Sequence, residues 1–342
     1  METTRLGRTN LTVTRTGFGV LPLQRCDMDE AVRILRAAYH GGITFYDTAR
    51  NYSDSETKIG RALCDVRDSI VIATKSGSST RAGVIRDLER SLAELKTDYV
   101  DLLQLHNPAE IQNPDDEESA YAGLIEARDK GMTRFIGITN HILDRAEAAI
   151  KSGMYDTLQY PLCHISSPKD LALIDMCKSA DMGVIAMKPL SGGLITHLAP
   201  AFAYLRQFDN VIPIWGIQKM SELEELLAAE ANPPTPNDEM LSIIENDRCE
   251  LAGDFCRACG YCLPCPQGIP ITMAARMPLL LRRAPWQGFI NEEWYAKMHL
   301  VENCTDCGDC RSRCPYGLNP PAMLAKALAD YDEFYEQHAG DA

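Results

Sequence analysis

Eight of the thirteen cysteines lie between residues 256 and 314, in two runs. "CRACGYCLPCP" carries Cys256, Cys259, Cys262 and Cys265, and "CTDCGDCRSRCP" carries Cys304, Cys307, Cys310 and Cys314. Thiolates two residues apart in a tight loop can face one centre, and a proline behind the last cysteine keeps the departing chain out of a helix. Zinc is satisfied by four sulfurs in two pairs. Three evenly spaced cysteines with a proline-flanked fourth, occurring twice, exceed that need and predict two [4Fe–4S] clusters. In the C-x2-C-x2-C-x3-C-P spacing of the second run, the fourth cysteine ligates the other cluster. Applied crosswise, this assigns Cys256, Cys259, Cys262 and Cys314 to one cluster and Cys304, Cys307, Cys310 and Cys265 to the other. The first run has two residues rather than three before its last cysteine, so crossed and uncrossed ligation both remain open. Cys26, Cys64, Cys163, Cys177 and Cys249 lack such spacing and read as ordinary core or surface residues.

A second group of reactive side chains lies far upstream. Asp47, Lys75 and His106 each close a short apolar run, "ITFYD", "IVIATK" and "VDLLQLH", and Tyr52 follows Asp47 in "DTARNYSDSE". Taken singly, an aspartate and a lysine at strand ends can be a salt bridge, and the tyrosine and histidine ordinary surface or core residues. Their joint placement at successive strand ends favours a functional site.

The elements that must position these residues follow from the alternation of patterns. Further apolar runs, "TGFGV" (16–20), "RFIGITN" (134–140), "TLQY" (157–160), "GVIAMK" (183–188) and "VIPIW" (211–215), complete a set of eight buried parallel strands. Helix-period stretches separate them. In "DMDEAVRILRAAYHGG", Ala31, Ile34, Leu35 and Ala38 share a face, Asp27 is placed to cap the start and Gly41 to end it. Eight strand–helix units predict a (β/α)8 barrel, with its chemistry at the C-terminal ends of the strands. No G-x-G-x-x-G occurs, against an open dinucleotide-binding sheet. The proline-rich "ANPPTPNDE" (231–239) reads as a linker, giving a barrel over residues 1–232 and a small, mainly helical iron–sulfur domain over 233–342. That second domain has a helical stretch around "TMAARMPLLLRR" and a closing helix, "PPAMLAKALADYDEFYEQHA".

With "YDTARNYSDSE", "ATKSG" and "LLQLHNP" in place, the chain resembles the aldo-keto reductases over about residues 5–230. With its cysteine runs it is similar to the subgroup carrying a two-cluster ferredoxin-like domain. The resemblance implies hydride transfer between NADPH or NADH and a small carbonyl or alcohol. Tyr52 would be the proton donor, Lys75 and Asp47 the pair that lowers its pKa, and His106 the group that orients the carbonyl oxygen. Thr139, Asn140 and Gln159 match side chains that hold the nicotinamide carboxamide. Met187 falls where many members stack a tyrosine on the ring; core packing is its other reading. Glu222 falls where NADPH users have an arginine, and a carboxylate there suits a free ribose hydroxyl. Lys188 and Lys219 could still meet a phosphate. The clusters could relay electrons between the barrel and a partner such as a ferredoxin, be structural or redox-sensing, or serve a barrel holding a different redox group; Arg257, Arg311, Arg313 and the Arg282–Arg283 pair could dock an acidic ferredoxin or, solvated, neutralise the clusters. The other class of function is an electron-transfer or redox-sensing protein whose barrel binds nucleotide without turnover.

With 34 Lys and Arg against 48 Asp and Glu, a net charge of −14, and no basic tract, the chain is not expected to bind nucleic acid. The polar N-terminus and the lack of any long apolar run predict a cytoplasmic protein with no membrane span.

Overall fold

The protein is described by a computed structural model covering residues 1–283 and 286–338. The chain forms two compact units: Met1–Pro189 with Leu198–Ile244, and Leu190–His197 with the remainder from Glu245.

The first unit is a closed barrel of eight parallel strands: β3 (Gly17–Gly19), β4 (Phe45–Asp47), β5 (Val71–Ser76), β6 (Val100–His106), β7 (Thr133–Thr139), β8 (Thr157–Pro161), β9 (Gly183–Met187) and β10 (Val211–Gly216). Eight helices follow them in turn: α1 (Met28–His40), α2 (Ser55–Leu63), α3 (Arg81–Leu95), α4 (Ala120–Asp129), α5 (Leu143–Ser152), α6 (Pro168–Ser179), α7 (Leu198–Arg206) and α8 (Met220–Ala231). The eight strands coincide with the eight apolar runs to within two residues. In α1 the buried face is Ala31, Ile34, Leu35 and Ala38, and the Asp27 carboxylate accepts the Glu30 N–H at 2.8 Å. Ser119 and Ser167 cap α4 and α6 in the same way, satisfying N–H groups that a helix start leaves without intrahelical partners.

An antiparallel hairpin, β1 (Thr3–Arg5) and β2 (Thr12–Thr14), precedes the barrel. Its strands of three residues are too short to carry a period-two signal. Leu6, Leu11 and Val13 of this hairpin share a core cluster with Phe45, Leu102, Ile185 and Ile212 from the strands. Gly7, at φ +49°, sits so close to the start of β9 that a Cβ would lie 2.2 Å from the Gly183 nitrogen. The hairpin therefore closes the N-terminal end of the barrel and leaves the C-terminal end for chemistry.

Helix α9 (Asp238–Glu250) leads into the second unit, which holds α10 (Ile271–Ala274), α11 (Met277–Arg283), α12 (Glu292–His299), α13 (Asp309–Ser312) and α14 (Pro320–His338). The helical stretch expected around residues 272–283 is thus two helices. Pro278, which has no N–H to bond back, enforces the restart. The closing helix starts at its proline as expected; residue 339 lies outside the described residues. The core joins Ile269, Ile271, Met277, Leu281, Met298, Leu324 and Tyr331 to two of the cysteines, Cys262 and Cys310. The division into units differs from a cut at 232. Residues 190–197, which follow β9, belong to the second unit because Arg276 Nη1 donates to the Gly192 carbonyl at 2.9 Å and Arg283 Nε to the Leu194 carbonyl at 2.8 Å. Among the described residues no helix is long and apolar enough to cross a membrane.

Candidate functional sites

At the C-terminal end of the barrel, Asp47 ends β4, Lys75 lies near the end of β5 and His106 ends β6. Tyr52 stands in the loop between β4 and α2, which is tied to β5 by the Arg50 N–H to the Lys75 carbonyl at 3.0 Å. Lys75 is buried, and its Nζ donates to Asp47 Oδ1 and to the Thr48 carbonyl, both at 2.6 Å. The same nitrogen lies 5.3 Å from the centre of the Tyr52 ring. The His106 ring meets Tyr52 edge to face, with centroids 5.6 Å apart and planes at 82°. The four side chains picked from strand ends therefore converge.

Burial pushes Asp47 above the usual carboxylate range and Lys75 below the usual amine range, and the contact between them pulls each back. Glu56 of α2 also favours the Lys75 ammonium; it is buried, and Thr74 Oγ1 donates to it at 2.6 Å. His106 keeps part of its ring accessible, yet burial of the rest, with the Lys75 charge beside it, lowers it to about 3. Its imidazole is neutral near pH 7 and offers a neutral N–H.

The residues matched to cofactor contacts sit around the same face. Thr139 ends β7, buried, and its hydroxyl accepts the Asn107 N–H at 3.0 Å. Asn140 is buried too. Its Oδ1 accepts the N–H groups of His141 and Ile142 at 2.9 Å each and its Nδ2 donates to the Pro108 carbonyl at 3.3 Å, so it shapes its own loop. Gln159, on β8, turns its amide toward Asp47 and Gln104. Met187 packs in the barrel core cluster, in keeping with its packing reading. Lys188 follows it at φ +58°, partly exposed. Lys219 and Glu222 are exposed at the start of α8, where Glu222 Oε2 accepts the N–H groups of Gln218 and Lys219 at 2.7 and 3.1 Å. Two contributors escaped the sequence reading. Gln104 is detectable as a polar residue two positions before His106, hence on the same inward face of β6. Glu56 is indistinguishable by sequence from a solvated helical glutamate.

In the second unit the two cysteine runs fold alike. Ala258 and Asp306, each just before the second cysteine, have φ +51° and +48°, and Gly260 and Gly308, just after it, have +83° and +84°. Left-handed residues on both sides of a thiol curl the chain around one centre. Cys256, Cys259, Cys262 and Cys314 line a cavity of about 380 Å³ with Arg257 and Tyr316. Cys265, Cys304, Cys307 and Cys310 line another of about 410 Å³, which Cys262 also borders. Each cavity therefore combines three cysteines of one run with the last cysteine of the other. Among the described residues no three His, Cys, Asp or Glu side chains converge on a point for a single metal ion. The sulfurs stand around space for a larger group.

Of the arginines considered for docking, Arg311 pairs with Asp306 at 3.1 Å, Arg313 with Asp309 at 3.1 Å, Arg282 with Asp330 at 2.8 Å and Arg283 with Asp247 and Glu250. Arg257 lies over the Phe255 ring, 3.7 Å from its centre. Four of the five thus have their charge met by nearby carboxylates, which removes the basis for a bare basic docking patch there.

A barrel with an ion pair, a tyrosine and a neutral histidine at its catalytic end, followed by two cysteine-lined cavities, defines a redox protein of two parts. The chain belongs to the aldo/keto reductase family, whose pattern matches residues 15–201, and a 4Fe-4S dicluster domain pattern matches residues 255–319. L-galactose dehydrogenase of Arabidopsis thaliana is 32% identical over 225 residues, covering 58% of this chain and 69% of that protein. D-threo-aldose 1-dehydrogenase of a Pseudomonas species is 26% identical over 209 residues, covering 50% and 63%. Among solved structures, the aldo-keto reductase AKR11C1 of Bacillus halodurans superimposes with a TM-score of 0.64 at 22% identity, covering 72% of this chain and 96% of that one. The chain spans about two thirds of the length of these curated relatives.

Proposed function

We propose that the barrel interconverts a small carbonyl compound and its alcohol, with Tyr52 as the proton donor and acceptor and a nicotinamide dinucleotide as hydride partner. The observation that carries this reading is the buried Lys75 ammonium, held by Asp47 and set against the Tyr52 ring. When bound, the nicotinamide supplies or takes the hydride. The chain's residues manage the proton. An ammonium beside a phenol stabilises the phenolate and brings its pKa from about 10 toward neutrality, where it can donate to a developing alkoxide. Asp47 keeps that ammonium in place. His106, neutral, donates a hydrogen bond to the carbonyl oxygen rather than a full positive charge, and so orients it.

Thr139, Asn140 and Gln159 would hold the carboxamide, and Lys188 and Lys219 would flank phosphates. Glu222 favours NADH over NADPH. Its carboxylate already occupies the N–H groups at the start of α8, and it repels a second anion there. Two relatives are an L-galactose dehydrogenase and a D-threo-aldose 1-dehydrogenase, which makes aldoses the first substrates to try. Both cavities of the second unit fit a [4Fe–4S] cluster, the first on Cys256, Cys259, Cys262 and Cys314 and the second on Cys304, Cys307, Cys310 and Cys265. Such clusters pass single electrons, and a ferredoxin-like carrier is the class of partner they suit.

The test is anaerobic preparation, iron analysis and an assay of aldoses and small carbonyls with both nucleotides. About eight irons per chain are expected, together with turnover, faster with NADH. Cys265→Ser should lose iron while Cys256, Cys259, Cys262 and Cys314 keep theirs. Tight nucleotide binding with no turnover of any carbonyl or alcohol would overturn the hydride reading.

A further inference from the structure

Gln104 is fully buried on β6. Its Nε2 lies 2.9 Å from Gln159 Oε1 and 3.5 Å from Asp47 Oδ2, and Gln159 Nε2 lies 3.4 Å from Asp47 Oδ1. The three side chains form a closed triangle whose third corner is the carboxylate gripping Lys75. The orientation of the Gln104 amide is decided by charge. As it stands, Gln104 Oε1 is buried with no hydrogen-bond partner, which is costly. Turned over, that oxygen would face a carboxylate oxygen and the Gln159 carbonyl, and the N–H donors would be lost to both.

The fold makes room for this contact. Gln104 pairs across the sheet with Gly137 of β7, where a Cβ would lie 3.1 Å from Gln104 Cγ and 2.2 Å from Thr157 Oγ1. Only a residue without a side chain leaves the path from β6 to β8 open. The other ionisable groups around the triangle are Lys75 of β5, Tyr52 of the β4–α2 loop, His106 of β6 and, behind Lys75, Glu56 of α2.

We propose that Gln104 is a positioning residue, whose amide holds the Asp47 carboxylate and the Gln159 amide as one unit beneath the proton-transfer site. The inference rests on the barrel reading given above. Through Asp47 it fixes the Lys75 ammonium against Tyr52, and through Gln159 it fixes the side chain assigned to the carboxamide. Loss of the amide should therefore change turnover and nucleotide affinity together.

Two variants test it in the full, iron-loaded chain. In Gln104→Glu the new carboxyl stands beside Asp47, and two carboxyls at that distance share one proton. Protonated, the introduced group can give its single O–H to Asp47 Oδ2, which keeps the bond that holds that carboxylate; ionised, it repels Asp47. Its kcat/KM for carbonyl reduction should stay within about threefold of wild type at pH 5 and fall about tenfold or more by pH 8, a change of about 1.4 kcal/mol or more. Gln104→Leu, apolar and close in volume, should lose about tenfold at both pH values and weaken NADH binding severalfold. The thermal midpoint of Gln104→Glu, relative to Gln104→Leu, should fall between pH 5 and pH 8, a readout that needs no turnover. Parallel pH dependence of the two variants in both rate and midpoint would overturn the proposal. If wild type itself reduces no carbonyl, the hydride reading fails, and the midpoints still decide whether Gln104 serves Asp47.

Discussion

At the scale of single residues, the barrel site works by opposing burial with charge. Lys75 is one of the largest fully buried side chains, and its charge is compensated by hydrogen bonds to Asp47 and the Thr48 carbonyl, with Glu56 adding to the attraction. Removing one partner of such a pair leaves a buried charge alone, which is why these positions tolerate little change. His106 is a neutral imidazole held in a place that disfavours its protonation. Its folded pKa, about 3, lies below the unfolded value of about 6.5, so the unfolded chain takes up a proton first as pH falls. Stability is unaffected above pH 6.5 and is lost progressively from there down to pH 3, by at most about 1.4 kcal/mol per pH unit. Denaturant unfolding of His106→Gln should show a shallower loss between pH 6 and pH 4 than wild type. Equal slopes would mean that His106 titrates normally in the folded state. Asp47, Lys75 and His106 could be picked from the sequence because each stands at the end of an apolar run, and Tyr52 because it follows Asp47 in a loop that resembles the family's. Glu56 and Gln104 were not picked, because their importance comes from neighbours on other strands and helices.

At the scale of elements, the eight strands were legible because both faces of a parallel barrel strand are buried, which writes a continuous apolar run. Helix α1 was legible down to its cap for the complementary reason that one face is wet. The N-terminal hairpin was not legible: six strand residues, four of them threonine, offer no pattern, and its role depends on contact with β9 more than 170 residues away. That contact carries a prediction. Gly7→Ala places a methyl group against the backbone of Gly183 while forcing alanine to φ +49°. Strain and overpacking together should cost at least about 2 kcal/mol in denaturant unfolding. The specific activity of the folded protein should be unchanged, because the hairpin closes the end of the barrel opposite the site. A wild-type midpoint would show that the hairpin moves away freely. Helix α9 and the break before α11 were also missed, the first because its pattern is weakly amphipathic, the second because proline at the second position of a helix starts one rather than stopping it.

At the scale of the whole molecule, the chain joins an aldo/keto reductase barrel to a 4Fe-4S dicluster domain. The matching left-handed turns of the two runs and the crossed cysteine sets around the cavities make the second unit one folding piece, since neither run completes a site alone. Spacing alone left crossed and uncrossed ligation open, because the shortened first run fits both. The proline-rich stretch at 231–239 spans the break between α8 and α9, and the two units divide elsewhere, with residues 190–197 joined to the second by hydrogen bonds from Arg276 and Arg283. The account as a whole depends on proton transfer at Tyr52. The measurement that reaches it most directly is the rate of carbonyl reduction by iron-loaded Tyr52→Phe, with nucleotide affinity measured on the same sample. A loss of roughly 10²–10⁴-fold in kcat with an unchanged nucleotide Kd is expected for a missing general acid. A variant that reduces the same carbonyl at the wild-type rate would contradict it.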